Sequence, residues 1–133
     1  ITTFKATTVA AKEAYKIAGI EAKDIDVAEV HDDYTVGGIM ALQDLGFFKK
    51  GEAGKAVLED RVSIDGEVAI NTSGGLKAAG YPVGAAGVAQ IVEITNQLRN
   101  RADNRQVKDA KYGLAQSVGG TGSAVTVSIL EAI

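Results

Sequence analysis

Apolar residues recur every three to four positions in three segments, a spacing that predicts α-helices. The segments are residues 7–18, 35–45 and 84–98. Gly19 directly follows the first segment and suits the left-handed conformation that ends many helices. The pattern therefore predicts three separate helices along the chain.

Four shorter segments are rich in apolar and β-branched residues and predict strands. They are residues 25–30, 68–70, 111–118 and 124–130. Gly119 to Ser123 joins the last two as a tight turn, which predicts an antiparallel hairpin. Because helices alternate with the earlier strands, the predicted fold class is α/β, with a mixed, mostly parallel sheet flanked by helices and a C-terminal antiparallel hairpin.

Two segments show no clear periodicity. Residues 51–65 are polar and are predicted to form a loop or a small excursion. Residues 71–87 contain repeated glycines, which suit either a winding loop or a close approach of the backbone to a ligand. Both interpretations of the glycine-rich segment stay open at this point.

The third predicted helix has an unusual lack of charge, since Glu93 is its only ionisable residue. A helix that is apolar or neutral on nearly all sides is expected to be buried on nearly all sides. A single domain of 133 residues has difficulty covering a helix so completely, so we expect another sheet or domain to cover it. The chain also begins at Ile1 and has Met40 as its only methionine, which predicts a fragment or a processed product.

Composition and charge argue against several classes of function. The formal net charge is -3, and the one basic stretch, residues 99–108, is interrupted by an aspartate, which argues against a nucleic-acid partner. No apolar run reaches the length of a membrane span, and no signal peptide is visible. Cysteine is absent, so the chain predicts no disulfide, no thiolate metal site and no thiol nucleophile of its own. The absence of cysteine fits a cytoplasmic protein.

Three turns follow predicted strands, at residues 31–34, 71–84 and 118–123. In open α/β sheets, ligands bind beyond the carboxyl ends of the strands. We therefore expect these turns to converge on one site. This expectation rests on the order of the elements alone.

His31 is the only histidine and stands between a predicted strand and a predicted helix. An imidazole there can move a proton or donate a hydrogen bond to a carbonyl, and it can equally serve only to complete a strand end. Asp32 is interpreted as a cap for the backbone N–H groups that open the following helix, and Asp33 as a cap or a proton carrier.

The glycine patterns do not indicate a nucleotide site. The phosphate-loop ending Gly-Lys-Ser/Thr is missing, and the glycines at 119, 120 and 122 lie in a hairpin rather than in a strand-to-helix turn. Backbone N–H groups in the turn from Gly119 to Ser123 can stabilise a developing oxyanion, although a glycine-rich hairpin is as often structural.

Three motifs, in order along the chain, resemble those of the thiolases. Residues 71–87 read NTSGGLKAAGYPVGAAG and resemble the thiolase signature around its Gly-His-Pro motif. Residues 30–34, VHDDY, resemble the His-Asp-Cys-Phe motif of the sterol-carrier-type and archaeal branch. Residues 113–123 resemble the final hairpin, where many thiolases carry Cys-x-Gly. The resemblance covers essentially all of residues 1–133. The part of a thiolase that these residues resemble is its C-terminal domain.

The resemblance implies a protein of two similar halves, each a sheet flanked by helices, with the helices between the sheets buried. It implies that the nucleophilic cysteine lies in the N-terminal half, which is missing here, so that this chain is not competent alone. The implied reaction is the Claisen condensation of acyl-CoA molecules, or thiolysis of a 3-ketoacyl-CoA, as in acetyl-CoA acetyltransferases. The implied substrate is a coenzyme A thioester with no covalently bound cofactor, and the implied assembly is a homo-oligomer.

The resemblance also implies site residues. The catalytic set comprises His31, Asp33, Tyr81 and Gly120. The substrate-binding set comprises Ser73, Gly74, Gly75, Pro82 and Gly119. Within the first set, His31 is expected to serve an oxyanion hole, and the backbone around Gly120 to line the site.

Three positions depart from the family pattern. Tyr81 replaces the histidine of Gly-His-Pro, and a phenol with an ordinary pKa near 10 is a poor base at neutral pH. Asp33 replaces the cysteine of His-Asp-Cys-Phe, and Val118 that of Cys-x-Gly. Two hypotheses follow: an acyltransferase with altered acid and base groups, or a non-catalytic thiolase-fold subunit used for binding or scaffolding.

Overall fold

A computed structural model describes residues 2–133 of the chain. It contains four strands, β1 Val27–Glu29, β2 Ala69–Ile70, β3 Tyr112–Gly119 and β4 Ala124–Glu131. They form one sheet in the order β2-β1-β3-β4, in which β1 runs parallel to both β2 and β3. β4 is antiparallel to β3 and lies at the edge. The predicted mostly parallel sheet with a C-terminal hairpin is confirmed.

Five α-helices surround this sheet. They are α1 Lys5–Ala18, α2 Thr35–Asp44, α3 Ala53–Leu58, α4 Gly75–Ala79 and α5 Ala86–Leu98. α1, α2 and α5 are the three predicted helices. α3 lies within residues 51–65, which were predicted to form a loop or a small excursion, and the structure has a short helix there: Ala53 and Ala56 are both 0% exposed and hold this helix on the core. α4 interrupts the glycine-rich segment.

Two apolar clusters lie on opposite faces of the sheet. The larger one joins the sheet to α1, α2 and α3 and includes Ala28, Leu45 and Leu114. The smaller one lies under α5 and includes Val27 and Ile94. Since β1 is covered on both faces, the molecule is a three-layer arrangement of helices, sheet and helix.

The two ends of α1 are held by different means. Gly19 follows it with a φ of 70°, the predicted left-handed C-terminal cap. At the other end, the buried carboxylate of Asp44 accepts hydrogen bonds from Phe4 N at 2.7 Å and Thr3 Oγ1 at 3.0 Å. Lys50 Nζ pairs with the same carboxylate at 2.6 Å. The last residue of α2 thus fixes the start of α1.

α5 is oriented with polar residues inward. Gln90, Glu93 and Gln97 are buried, whereas Val88 and Val92 are 64% and 52% exposed. The helix is therefore not buried on all sides within this chain. The layer expected to cover its outer face remains a prediction, and the exposed valines are what such a layer would contact.

No helix within residues 2–133 is both long and apolar enough to cross a membrane. In the same part of the chain, His, Asp and Glu side chains form no cluster of three or more that is placed to hold a metal ion.

Candidate functional site

The carboxyl ends of the three parallel strands lie at one edge of the sheet. The turn at His31 follows β1, the turn at Asn71 follows β2, and Gly119 ends β3. Side chains tie these turns together: Val30 N donates to Asn71 Oδ1 at 2.7 Å, and His31 N donates to Gln116 Oε1 at 2.8 Å. The parallel register therefore brings the predicted turns to a common place.

His31 is almost enclosed, with 6% of its surface exposed. Its Nε2 lies 3.8 Å from Asp33 Oδ1, and its buried Nδ1 has no hydrogen-bond partner among residues 2–133. The backbone bond to Gln116 holds the residue while leaving the ring nitrogens available. An imidazole fixed in this way can donate a hydrogen bond or exchange a proton with a ligand.

Tyr81 lies beside His31 and is the more accessible of the two. The ring centroids are 4.8 Å apart and the ring planes are at 88°, an edge-to-face contact. Tyr81 is 39% exposed, whereas the imidazole beneath it is enclosed. Tyr81 also lines an open cavity, whereas His31 does not.

Asp32 and Asp33 have different partners from those predicted. Asp32 caps α4 instead of the helix that follows it, because its Oδ1 accepts a hydrogen bond from Leu76 N at 2.7 Å. Asp33 Oδ1 accepts from Tyr34 N at 2.8 Å at the start of α2, and its side chain is 29% exposed. Asp33 therefore combines a hydrogen bond to the residue before α2 with access to His31.

Ser73, a predicted substrate-binding residue, uses its hydroxyl within the protein. The hydroxyl donates to Glu29 Oε2 at 2.6 Å and accepts from Gly75 N at 3.1 Å. Gly75 has a φ of 63°, and a Cβ there would lie 2.5 Å from Asp32 Oδ2, so this position requires glycine. Gly74 is similarly constrained, since its Cβ would lie 2.7 Å from that of Ala78.

Six of the nine predicted site residues line two cavities, whereas His31, Asp33 and Gly74 line neither of them. Tyr81, Gly119 and Gly120 line an open cavity of about 440 Å³. Ser73, Gly75 and Pro82 line a smaller one of about 250 Å³ on the other side of the loop. Gln90 and Ala86 contribute to both. The structure thus groups Tyr81 with the hairpin glycines and separates them from the other predicted substrate-binding residues.

Sequence reasoning missed a buried polar network beneath this site. Thr72 Oγ1 donates to Glu93 Oε1 at 3.1 Å and lies 3.5 Å from Glu29 Oε1. Gln97 Nε2 also donates to Glu93, and Arg105 pairs with Glu93 Oε2 at 3.0 Å. The available signal was the spacing of Gln90, Glu93 and Gln97, which places three polar side chains on one face of a helix.

The surroundings of the two glutamates in this network favour different protonation states. Burial raises the pKa of Glu29, a charge on Glu93 adds to this, and hydrogen bonds from Ser73 and Thr72 oppose it. Burial alone would also raise the pKa of Glu93, but hydrogen bonds from Arg105, Gln97 and Thr72 outweigh it and hold this pKa below its ordinary value. Glu93 is therefore the residue stabilised as an anion.

Replacing Arg105 by alanine should destabilise the protein at neutral pH by about 1–2 kcal/mol, because Glu93 would be left buried without its cation. The value is at the low end for a buried pair since the Arg105 side chain is 42% exposed. The folded-state pKa of Glu93 is lowered, so the pair stabilises above the ordinary glutamate pKa and loses its effect as pH falls through the folded value.

Thermal unfolding of the full-length protein at pH 7 and near pH 4 measures this effect, which should shrink at the lower pH. The control is Lys23→Ala, which breaks an exposed ion pair with Glu21 and should not change stability. Equal losses for Arg105→Ala at both pH values would contradict the ionised state of Glu93.

The sequence and the fold both have clear relatives. Acetyl-CoA acetyltransferases of Methanothermobacter thermautotrophicus and Methanocaldococcus jannaschii are 47% and 49% identical, and each alignment covers 98% of this chain. Sterol carrier protein 2 of Bos taurus is 38% identical over 96% of the chain. A solved structure named Ltp2-ChsH2(DUF35) aldolase superposes with a TM-score of 0.81 and 27% identity, covering 95% of this chain.

This chain is much shorter than those relatives. It spans 34% and 35% of the two archaeal proteins, 23% of the bovine protein and 31% of the aldolase chain. The family model described as thiolase C-terminal domain-like matches residues 1–132. Because this model matches nearly the whole chain, the chain belongs to the thiolase C-terminal domain-like family.

Proposed function

We propose that this chain is the C-terminal half of a thiolase-like acyl-CoA acyltransferase, which condenses acyl-CoA thioesters or cleaves 3-ketoacyl-CoA. The observation that carries the proposal is the placement of His31, Asp33 and Tyr81 together at the carboxyl edge of the sheet. The acetyltransferase relatives, which match nearly the whole chain, support the same chemistry.

In this proposal, a thioester oxygen would accept a hydrogen bond from His31 as the Cα proton leaves. Asp33 would receive that proton, since its carboxylate is partly exposed and lies near the imidazole. The backbone at Gly119 and Gly120 would line the space beside Tyr81. Ser73, Gly74, Gly75 and Pro82 would shape the turn on which the substrate rests.

The acyl group itself would be carried by a cysteine of an N-terminal half, because this chain has none. The chain covers only about a third of its archaeal relatives, which leaves room for such a half. Val88 and Val92, exposed on α5, would be covered by it. We further propose a homo-oligomeric, cytoplasmic enzyme that uses coenzyme A thioesters and no bound cofactor.

Tyr81 favours a second candidate, the cleavage of a 3-hydroxyacyl-CoA by a retro-aldol reaction. Here a base removes the hydroxyl proton, the C2–C3 bond breaks, and the enolate that forms is protonated to give an acyl-CoA and an aldehyde or ketone. This route needs no acyl-enzyme and therefore no thiol or thiol-activating base. One structural relative is named an aldolase, which supports this alternative.

The test compares the full-length protein with its Tyr81→His variant in CoA-dependent cleavage of acetoacetyl-CoA. We expect turnover by the unmodified protein and faster turnover near neutral pH in the variant, since an imidazole titrates near pH 6.5 and a phenol near pH 10. Tyr112→His, at the opposite end of β3, is the matched control and should leave the rate unchanged.

The other outcomes separate the alternatives. Activity in the variant alone would favour a binding or scaffolding subunit whose site Tyr81 has switched off. Cleavage of 3-hydroxybutyryl-CoA to acetyl-CoA and acetaldehyde without free CoA would favour the aldolase. The proposed acyltransferase would be contradicted if neither the unmodified protein nor the Tyr81→His variant cleaved either substrate and the upstream nucleophile position had no cysteine.

A further inference from the structure

The segment Asn71–Pro82, which we call the glycine turn, is fastened to the end of β1 at several points. Val30 N donates to Asn71 Oδ1, and Leu76 N donates to Asp32. Ser73 is fastened more strongly, because its N and its hydroxyl both donate to Glu29, at 3.1 and 2.6 Å. A single carboxylate therefore accepts two hydrogen bonds from one residue of this turn.

Glu29 is an unusual residue for that position. It is 2% exposed, and within residues 2–133 no Lys, Arg or His nitrogen lies within 4.0 Å of its carboxylate. Burying a carboxylate without a cation is costly unless hydrogen bonds compensate. Its neighbour Glu93 has Arg105 as a partner, whereas the compensation for Glu29 comes only from Ser73 and Thr72 of the glycine turn.

The segment that joins Ser73 to Tyr81 is short and contains one helix. Gly74 and Gly75 lead into α4, which is five residues long, or about 7 Å at 1.5 Å per residue. α4 ends at Gly80, directly before Tyr81. A shift of the turn at Ser73 would therefore be carried through one rigid helical turn to the phenol.

The C-terminal end of this segment also contacts the end of β1. Tyr81 contacts His31 edge-to-face at 4.8 Å, and His31 lies two residues after Glu29. The glycine turn thus meets the end of β1 twice, first at the Ser73–Glu29 bonds and again at the Tyr81–His31 contact.

We propose that Glu29 is a positioning residue, which holds Tyr81 beside His31 through its hydrogen bonds to Ser73. The catalytic consequence rests on the proposed function, whereas the placement of Tyr81 does not. Glu29 touches no substrate in this account, and its effect reaches the site through the glycine turn.

The test places 3-fluorotyrosine at position 81 of the full-length protein and records its ¹⁹F resonance. His31→Ala gives the reference position for a ring that has lost its neighbour. We expect Glu29→Gln and Ser73→Ala each to move the resonance toward that reference. Glu67→Gln, which neutralises an exposed glutamate paired with Arg61, should leave it in place.

Ser73→Ala protects the test against misfolding, because Ser73 is exposed while Glu29 is buried. An unchanged resonance in Ser73→Ala overturns the proposal even when Glu29→Gln moves it, since the Ser73 hydroxyl, which makes the shorter of the two bonds to Glu29, would then not hold the turn. No movement in either variant overturns it as well. Neither result depends on whether the protein turns over acetoacetyl-CoA, so this readout is separate from the test of the proposed function.

Steady-state kinetics of acetoacetyl-CoA cleavage by the full-length protein provide a second measurement. Glu29→Gln should lower kcat by about 10- to 100-fold with little change in KM, as expected for a misplaced catalytic group. Tyr81→Ala, which removes the ring that contacts His31, should then lower kcat little further in the Glu29→Gln background. Losses that multiply in the double variant would overturn the positioning role, because they would mean that the two residues act independently.

Discussion

Replacing His31 by alanine should lower kcat for acetoacetyl-CoA cleavage in the full-length protein by about 10²- to 10³-fold. The Gln116 side chain holds the backbone of His31 and the imidazole is enclosed, so a donor aimed at the thioester oxygen would be lost without a substitute. Because that bond strengthens as charge develops on the oxygen, kcat should fall more than KM rises.

His31→Asn is the matched variant for this prediction, since its side chain keeps an N–H donor. It should retain more activity than His31→Ala, and steady-state kinetics of both variants measure the difference. Equal activity of the alanine variant and the unmodified protein would exclude His31 from the reaction. Circular dichroism melts establish that both variants are folded.

Replacing Gly113 by alanine should destabilise the full-length protein by about 3 kcal/mol, because the added methyl group would overfill the space between β3 and α5. Gly113 is buried in β3 between Val27 of β1 and Leu130 of β4. A Cβ at this position would lie 2.4 Å from Ile94 Cγ2. α5 would have to move away from the sheet, and the network around Glu93 would move with it.

Gly54→Ala is the control for Gly113→Ala. Gly54 lies inside α3, and a Cβ there would meet nothing within 4 Å. Alanine favours a helix interior over glycine, so this variant should be neutral or more stable by about 0.5–1 kcal/mol. Denaturant unfolding measures both variants, and a neutral Gly113→Ala would show that α5 is not packed as closely as described.

The order of the elements could be predicted from the sequence because local patterns determine it. Helical spacing gave α1, α2 and α5, and the glycines at 119 and 120 marked the hairpin. α4 could not be predicted in this way. Its N-cap, Gly74, has a φ of 95°, and its first turn is capped by Asp32, a residue that is distant in sequence.

The same distinction between local sequence pattern and contacts distant in sequence applies to the candidate site. The identities of His31 and Tyr81 followed from the motifs, but their edge-to-face contact depends on how the glycine turn folds over β1. Glu29 was not noticed because alternation in a strand indicates one polar face. β1 lies inside a parallel sheet with helices on both faces, so its glutamate is buried whichever way it points.

The inverted orientation of α5 changes how natural variation along this helix should be interpreted. Hydrophobicity scores would rank Val88 and Val92 as core and Gln90, Glu93 and Gln97 as surface, whereas their burial in this chain is the reverse. Amino-acid exchanges at the two valines report on whatever surface lies opposite them. Exchanges at the three polar positions report on the integrity of the chain itself, so a hydropathy-weighted comparison of sequences would misjudge which changes this domain tolerates.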